Sequence, residues 1–439
     1  MMTTQIQTSK AMKLSPEIVN EIFKNFSTTV IIHMPQLFPW FLGQICAGWR
    51  NVFLSSSTQF WGHIEIDVSR TKRRFPDSAA YFERALDILN FCLKCSEGCP
   101  LSFMFRMSAI HYAEEYAYVV DILNALIAPS MRWLTAEFHS LPVIELQRLH
   151  CIKGRIPLLR SFVFMQPEGR CWGHTIEPLP VNESFAEAFE QSPSLKRLEL
   201  SDITVSKFHW TSIEYFRLRS LTDVGKLVAA LSQATSLKEL EIGWGDIDRE
   251  PIDIDDAQST FTLPSLKKLT LHTHNIFGAL TAPGLEHLTV DFPERQEQIK
   301  TISSFVHRTS CPLKHLSLWH SEPATTVEVL SQIPSLSSLL FRDDNDDIES
   351  FIKLLNCDMP EGASLVAPRL KSLEMEFWEW PPVEELSAMV ASRARNPRVD
   401  GLQELSLRAN FSPQHSDLTI LQEQCEQHNV KLTIGSFDE

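Results

Sequence analysis

One short pattern recurs down this chain and limits what it can become: Pro-x-Leu-x-x-Leu-x-Leu. Clear copies begin at Pro193 (PSLKRLEL), Pro264 (PSLKKLTL), Pro283 (PGLEHLTV), Pro334 (PSLSSLLF) and Pro368 (PRLKSLEM). Shorter copies begin at Leu159, Leu237, Leu313 and Leu402. From Leu159 to Leu402 the step between copies averages about 30 residues, with wide scatter. In an extended segment, leucines two apart share one face and their neighbours take the other. A single such strand cannot bury its own leucines. An amphipathic stretch packs behind it, as in residues 221–231, 327–333 and 383–394, and units then stack so that each covers the next. The pattern predicts an α/β chain in which a curved parallel sheet lies inside and helices lie outside.

Strand and helix alternate before the clear repeats as well. Residues 64–68 alternate as a strand, 78–95 read as a helix and 100–106 as a strand. A helix over 112–127 and a strand over 131–136 follow. The chain therefore divides into a flexible N-terminus (1–12), a helical segment (13–67), a connection (68–99) and a repeat array (100–439).

The helical segment has its own logic. Ser15 can cap a helix, Pro16 suits its first position, and Glu17 places an acid in the first turn. Ile18, Val19, Ile22, Phe23 and Phe26 recur at helical spacing, and Leu42, Ile45, Cys46, Trp49, Val52 and Phe53 make a second apolar face. Two short helices cover only part of each other, so apolar surface is left over for a partner.

These residues resemble an F-box. Leu14, Pro16, Glu17, Ile18, Ile22 and Phe23, then Ile45-Cys46-Ala47-Gly48-Trp49-Arg50, then Phe60-Trp61, follow the order of the fungal motif. Ser15 stands where a proline is common, and residues 28–41, with Pro35 and Pro39, are more apolar than the usual connector. The array resembles a degenerate leucine-rich-repeat domain, and the whole is similar to the F-box/leucine-rich-repeat proteins abundant in mushroom-forming fungi. The resemblance implies a substrate-recognition subunit of a Skp1–cullin–F-box ubiquitin ligase. Leu14, Pro16, Ile18, Ile22, Phe23, Leu42, Ile45, Cys46 and Trp49 would then bind the Skp1 adaptor, and the concave face of the array a protein substrate. A second reading makes the chain a repeat scaffold without a ligase role, its N-terminal helices a cap.

Strand alternation places one outward ladder at Met165, Ser201, Gly243, His272, Asp291, Trp319, Arg342, Glu376 and Arg408. A second follows at Asp202, Trp244, Thr273, Phe292, His320, Asp343 and Phe377. Trp244, His272, Phe292, Trp319, His320, Arg342 and Phe377 are the candidate ligand contacts, since aromatic anchors among polar residues make binding hot spots. The alternative is that the rings fold under inserted loops and close the core edge.

Other chemistries find little footing. A net charge of −15 disfavours nucleic acid and anionic membrane as partners, and no run of about 18 apolar residues suggests a membrane span. The N-terminus has no apolar stretch long enough for a signal peptide. Nine scattered cysteines fit a reducing compartment, cytosol or nucleus. Cys92-x-x-Cys95-x-x-x-Cys99 lacks a fourth ligand for structural zinc, and His272-x-His274 lacks a placed acidic partner. The acidic runs 246–256 and 343–347 lack the spacing of a calcium loop. No phosphate-cradling or nucleophile-elbow motif occurs, and 15 glycines in 439 residues leave little room for one. The chain reads as a non-catalytic receptor with no metal or cofactor.

Overall fold

The structure is a computed structural model. It describes residues 14–23, 25–26, 29–34, 37, 40–55, 61–68, 78–107, 113–141, 143–166, 183–201, 207–220, 223–243, 260–272, 276–291, 296–319, 323–343, 348–358, 365–377, 380–409 and 415–436. These form two compact units, Met1–Ile213 and Glu214–Glu439.

In the first unit, helix α1 (Pro16–Phe23), strand β1 (Val30–Ile31), a 3-10 turn (Trp40–Gln44) and α2 (Ala47–Ser55) lead into β2 (His63–Asp67). Then α3 (Ser78–Cys95), β3 (Leu101–Arg106), α4 (Ala113–Ile127), β4 (Trp133–His139), the short α5 (Val143–Leu146), β5 (Ser161–Met165) and β6 (Arg197–Leu200) follow. The six strands lie side by side in chain order, all parallel. The segment 13–67, expected to be helical up to the strand read at 64–68, thus also supplies a strand at Val30–Ile31. The cause is local: Val30-Ile31-Ile32 is an apolar β-branched run suited to a strand, and Val30 pairs with Ile64.

The second unit opens with β7 (Tyr215–Leu218), α6 (Val224–Leu231) and β8 (Glu239–Ile242). Asp223 caps α6 by accepting from the Lys226 amide at 2.9 Å, a contact of about 1 kcal/mol. Next come β9 (Phe261–Thr262), β10 (Lys268–Leu271), β11 (Leu280–Thr281), β12 (His287–Asp291), α7 (Gln296–Thr309) and β13 (His315–Trp319). The unit continues with α8 (Pro323–Ser331), β14 (Ser338–Asp343), α9 (Ile348–Leu355), β15 (Ser372–Phe377), α10 (Val383–Arg395), β16 (Glu404–Ala409), α11 (His415–Gln427) and β17 (Lys431–Ser436). Nine strands, β7-β8-β10-β12-β13-β14-β15-β16-β17, run parallel with each next to its successor, and successive helices from α7 to α11 pack on one another. This is a solenoid-like α/β arrangement. Around β10, short strands stand where helices were expected: β9 and β11 pair with each other as a separate two-stranded sheet.

The leucine pattern sets the register. Leu240, Leu269, Leu288, Leu316, Leu339, Leu373 and Leu405 are in-register partners and all are buried. Ile242, Leu271, Val290, Leu318, Phe341, Met375 and Leu407 form the second buried row. Each such side chain contributes about 1.5–3 kcal/mol on burial. A slip of one residue would carry both rows into water, so the register is strongly specified.

Candidate interaction surfaces

Two surfaces stand out, one in each unit. The first is built on α1, whose apolar residues fall into two stripes. Val19 and Phe23, four apart, point inward and are buried. Phe23 meets Trp49 edge-on at 5.5 Å and Phe53 at 5.8 Å. The rings continue from Phe53 to Trp61 at 5.1 Å and from Trp61 to Phe91 on α3 at 5.4 Å. The Trp61 indole N–H donates to the Phe53 carbonyl at 3.2 Å. This aromatic chain ties α1 and α2 to α3, so the N-terminal helices share the core of their unit.

The other stripe, Ile18 and Ile22, faces out, and Ile18 is 50% exposed. Phe26 extends it past the helix end, where it meets Phe41 edge-on at 5.7 Å. Phe41 is itself 52% exposed, and Leu37 58%. With Ile45 and Leu54, six of the ten large apolar side chains exposed among the described residues lie between positions 18 and 54. That concentration is uncommon on a surface that meets only water.

The residues implied by the F-box resemblance therefore separate into two groups. Pro16, Ile18 and Ile45 are exposed, and Leu14, Ile22 and Cys46 half-buried. Phe23, Leu42 and Trp49 are buried, and so support a surface from below without reaching it. Cys46 also starts α2: its sulfur accepts from the Trp49 amide at 3.5 Å and its carbonyl from the Arg50 amide at 3.0 Å. Phe26, Leu37 and Phe41 were missed as surface residues. Their signal was the apolar character of residues 28–41 and the i, i+4, i+8 spacing of Ile18, Ile22 and Phe26.

The second surface is the outward side of β8 to β16. Gly243 follows β8, and His272 follows β10, its amide donating to the Ile242 carbonyl. Beyond them Asp291, Trp319, Arg342, Glu376 and Arg408 are successive in-register partners. The ladder expected from alternation is thus assembled as one row. The His272 and Asp291 side chains meet at 2.9 Å. The Arg342 guanidinium lies 5.0 Å from the Trp319 ring centroid, a cation–π contact. Arg408 bridges Glu374 and Glu376 at 3.1 Å each, and Arg342 approaches Glu376 at 3.8 Å. The Trp319 indole donates to Ser317 at 3.2 Å.

Phe377 does not belong to that surface. It is 3% exposed, because it follows Leu373 and Met375 at intervals of two and so continues the buried row. Its neighbour Glu376 takes the outward side of the strand, where it and Asp291 are themselves buried beneath the side chains they pair with. In the first unit, Met165 and Ser201 are likewise buried, with Ser201 accepting from the Gln166 amide at 2.5 Å. Trp244, Phe292 and His320 lie outside the described residues, as do Asp202, Thr273, His274, Trp378 and the run 246–256.

Glu286, just before β12, accepts from Lys267 and Lys314, both at 2.8 Å. These two hydrogen bonds, then the two positive charges, pull its carboxyl down to about 2. Burial pushes the Cys92 thiol up to about 12 and raises Cys95. Among the described residues no three His, Cys, Asp or Glu side chains gather as a metal site, and no helix is long and apolar enough to cross a membrane. A scan against protein-family models and a search of curated proteins returned no match for the chain.

Proposed function

We propose that this chain is a substrate receptor of a Skp1–cullin–F-box type ubiquitin ligase, an F-box joined to a leucine-rich-repeat array. The observation that carries this reading is the outward apolar stripe Ile18, Ile22 and Phe26, with Phe41 and Ile45, set on a buried aromatic base. A helix that is apolar on two stripes and buries only one offers the other to a partner. The fungal F-box order of Leu14 to Trp61 supplies that partner's identity, a Skp1-type adaptor. The outward row His272 to Arg408 then receives the target protein, with Trp319 and Arg342 as anchors. In this reading the chain catalyses nothing. It brings a target to a ligase in the cytosol or nucleus, contributing proximity and orientation.

The aromatic chain from Phe23 to Phe91 supports a second reading, in which the N-terminal helices cap the array and bind no adaptor. Co-expression with a fungal Skp1 separates the two. Co-elution of a stable complex supports the receptor. A folded protein that never retains Skp1 leaves the scaffold reading.

A further inference from the structure

Two histidines meet on the outward side of the second unit. His287 opens β12 and His315 opens β13, and they are direct partners in the parallel register. Their rings stack 4.1 Å apart with an interplanar angle of 3°. Lys268 on β10 is the in-register partner of His287 on the other side, and the β14 partner of His315 is Ser338, which carries no charge. Glu286 and Lys314 immediately precede the two histidines, and Lys267 is tied to Glu286. Among the described residues the pair therefore sits among three lysines and one carboxylate, and that carboxylate already serves two of the lysines.

Neutral imidazoles tolerate this stacking and these neighbours. Two imidazolium rings do not: like charges at such a distance repel, and the one anion is committed. We propose that His287 and His315 form a proton-operated latch on the β12–β13 seam, closed while both rings are neutral and loosened when acid charges them. Burial first, and then the charge of His315, hold the His287 imidazole below its usual range. A histidine depressed in this way stabilises the fold above its unfolded-state value near 6.5 and loses that contribution as pH falls through its folded value. The seam lies within the surface proposed for the target, so acidification would alter that surface at its centre.

The test needs only the full chain, labelled at histidine. The His287 ring titration would be followed by NMR in the wild type and in His315→Gln. Removing His315 should raise the His287 midpoint, because the neighbouring charge that opposes its protonation is gone. Thermal melts from pH 7.5 to 5 should show a smaller acid-induced loss in His315→Gln, and in His287→Gln, than in the wild type. Identical midpoints with and without the partner, or parallel melting curves, overturn the latch. If one variant fails to fold, the other decides.

Discussion

The sharpest test of the docking surface sets the outward apolar residues of the N-terminal segment against the inward stripe of α1. Ile18→Ser with Phe41→Ser strips two outward side chains, each about half in water. Complete burial of such a side chain is worth about 1.5–3 kcal/mol, so docking has about 1 kcal/mol per residue still to gain. Losing both should weaken Skp1 binding by about 2 kcal/mol, roughly 30-fold in Kd. Phe23→Ala acts on the inward stripe. It empties a fully buried site and breaks ring contacts to Trp49 and Phe53, costing about 3–5 kcal/mol of stability. Titration calorimetry against purified Skp1, with circular dichroism melts of each variant, reads both effects. The double variant should stay folded and bind weakly, whereas Phe23→Ala should melt early. A folded double variant that binds like the wild type would show that these outward residues are not the adaptor surface.

Three further outcomes follow from the second unit. Arg393→Met should destabilise the unit by about 3 kcal/mol or more, since it removes three charge-assisted hydrogen bonds to the carbonyls of Leu355, Val366 and Ala367; a melt unchanged from wild type would show that these bonds contribute little. Trp319→Ala should change the melting temperature little, because the ring is only half-buried, while abolishing capture of any target that docks on this row; a steep loss of stability would make the ring part of the core. Glu286, held at about 2 by Lys267 and Lys314, contributes above its unfolded-state value and should lose that contribution only as pH falls through about 2. Carboxyl NMR should therefore find it still ionised at pH 3, and a midpoint near 4 would mean the two lysines do not hold it.

Much of the architecture was open to reading because its causes are local. A leucine at every second position commits a strand to one buried face whatever lies beside it, and Asp223 caps α6 through a bond spanning three residues. The helices at 78–95 and 113–127 follow from apolar spacing within their own turns. The row Asp291, Trp319, Arg342, Glu376 and Arg408 could be named in advance, because each member stands one place beyond the last apolar position of the Leu-x-x-Leu-x-Leu pattern in its copy.

What pairing and depth decide was hidden. Phe377 looked like a surface aromatic beside Glu376, but its burial follows from the row that Leu373 and Met375 occupy. Nothing in the sequence singles out Arg393, near the end of α10. In the fold its guanidinium is buried and reaches the carbonyl of Ala367, a residue held at a positive φ of 46°. The histidines at 287 and 315 are 28 positions apart and become ring neighbours only because Leu288 pairs with Leu316. The sequence by itself determined the period, the parallel stacking and the inward leucines, since these depend on neighbours along the chain. Only the tertiary structure decided which apolar side chains on α1 remain exposed and which charges meet, because those depend on residues brought together from distant copies.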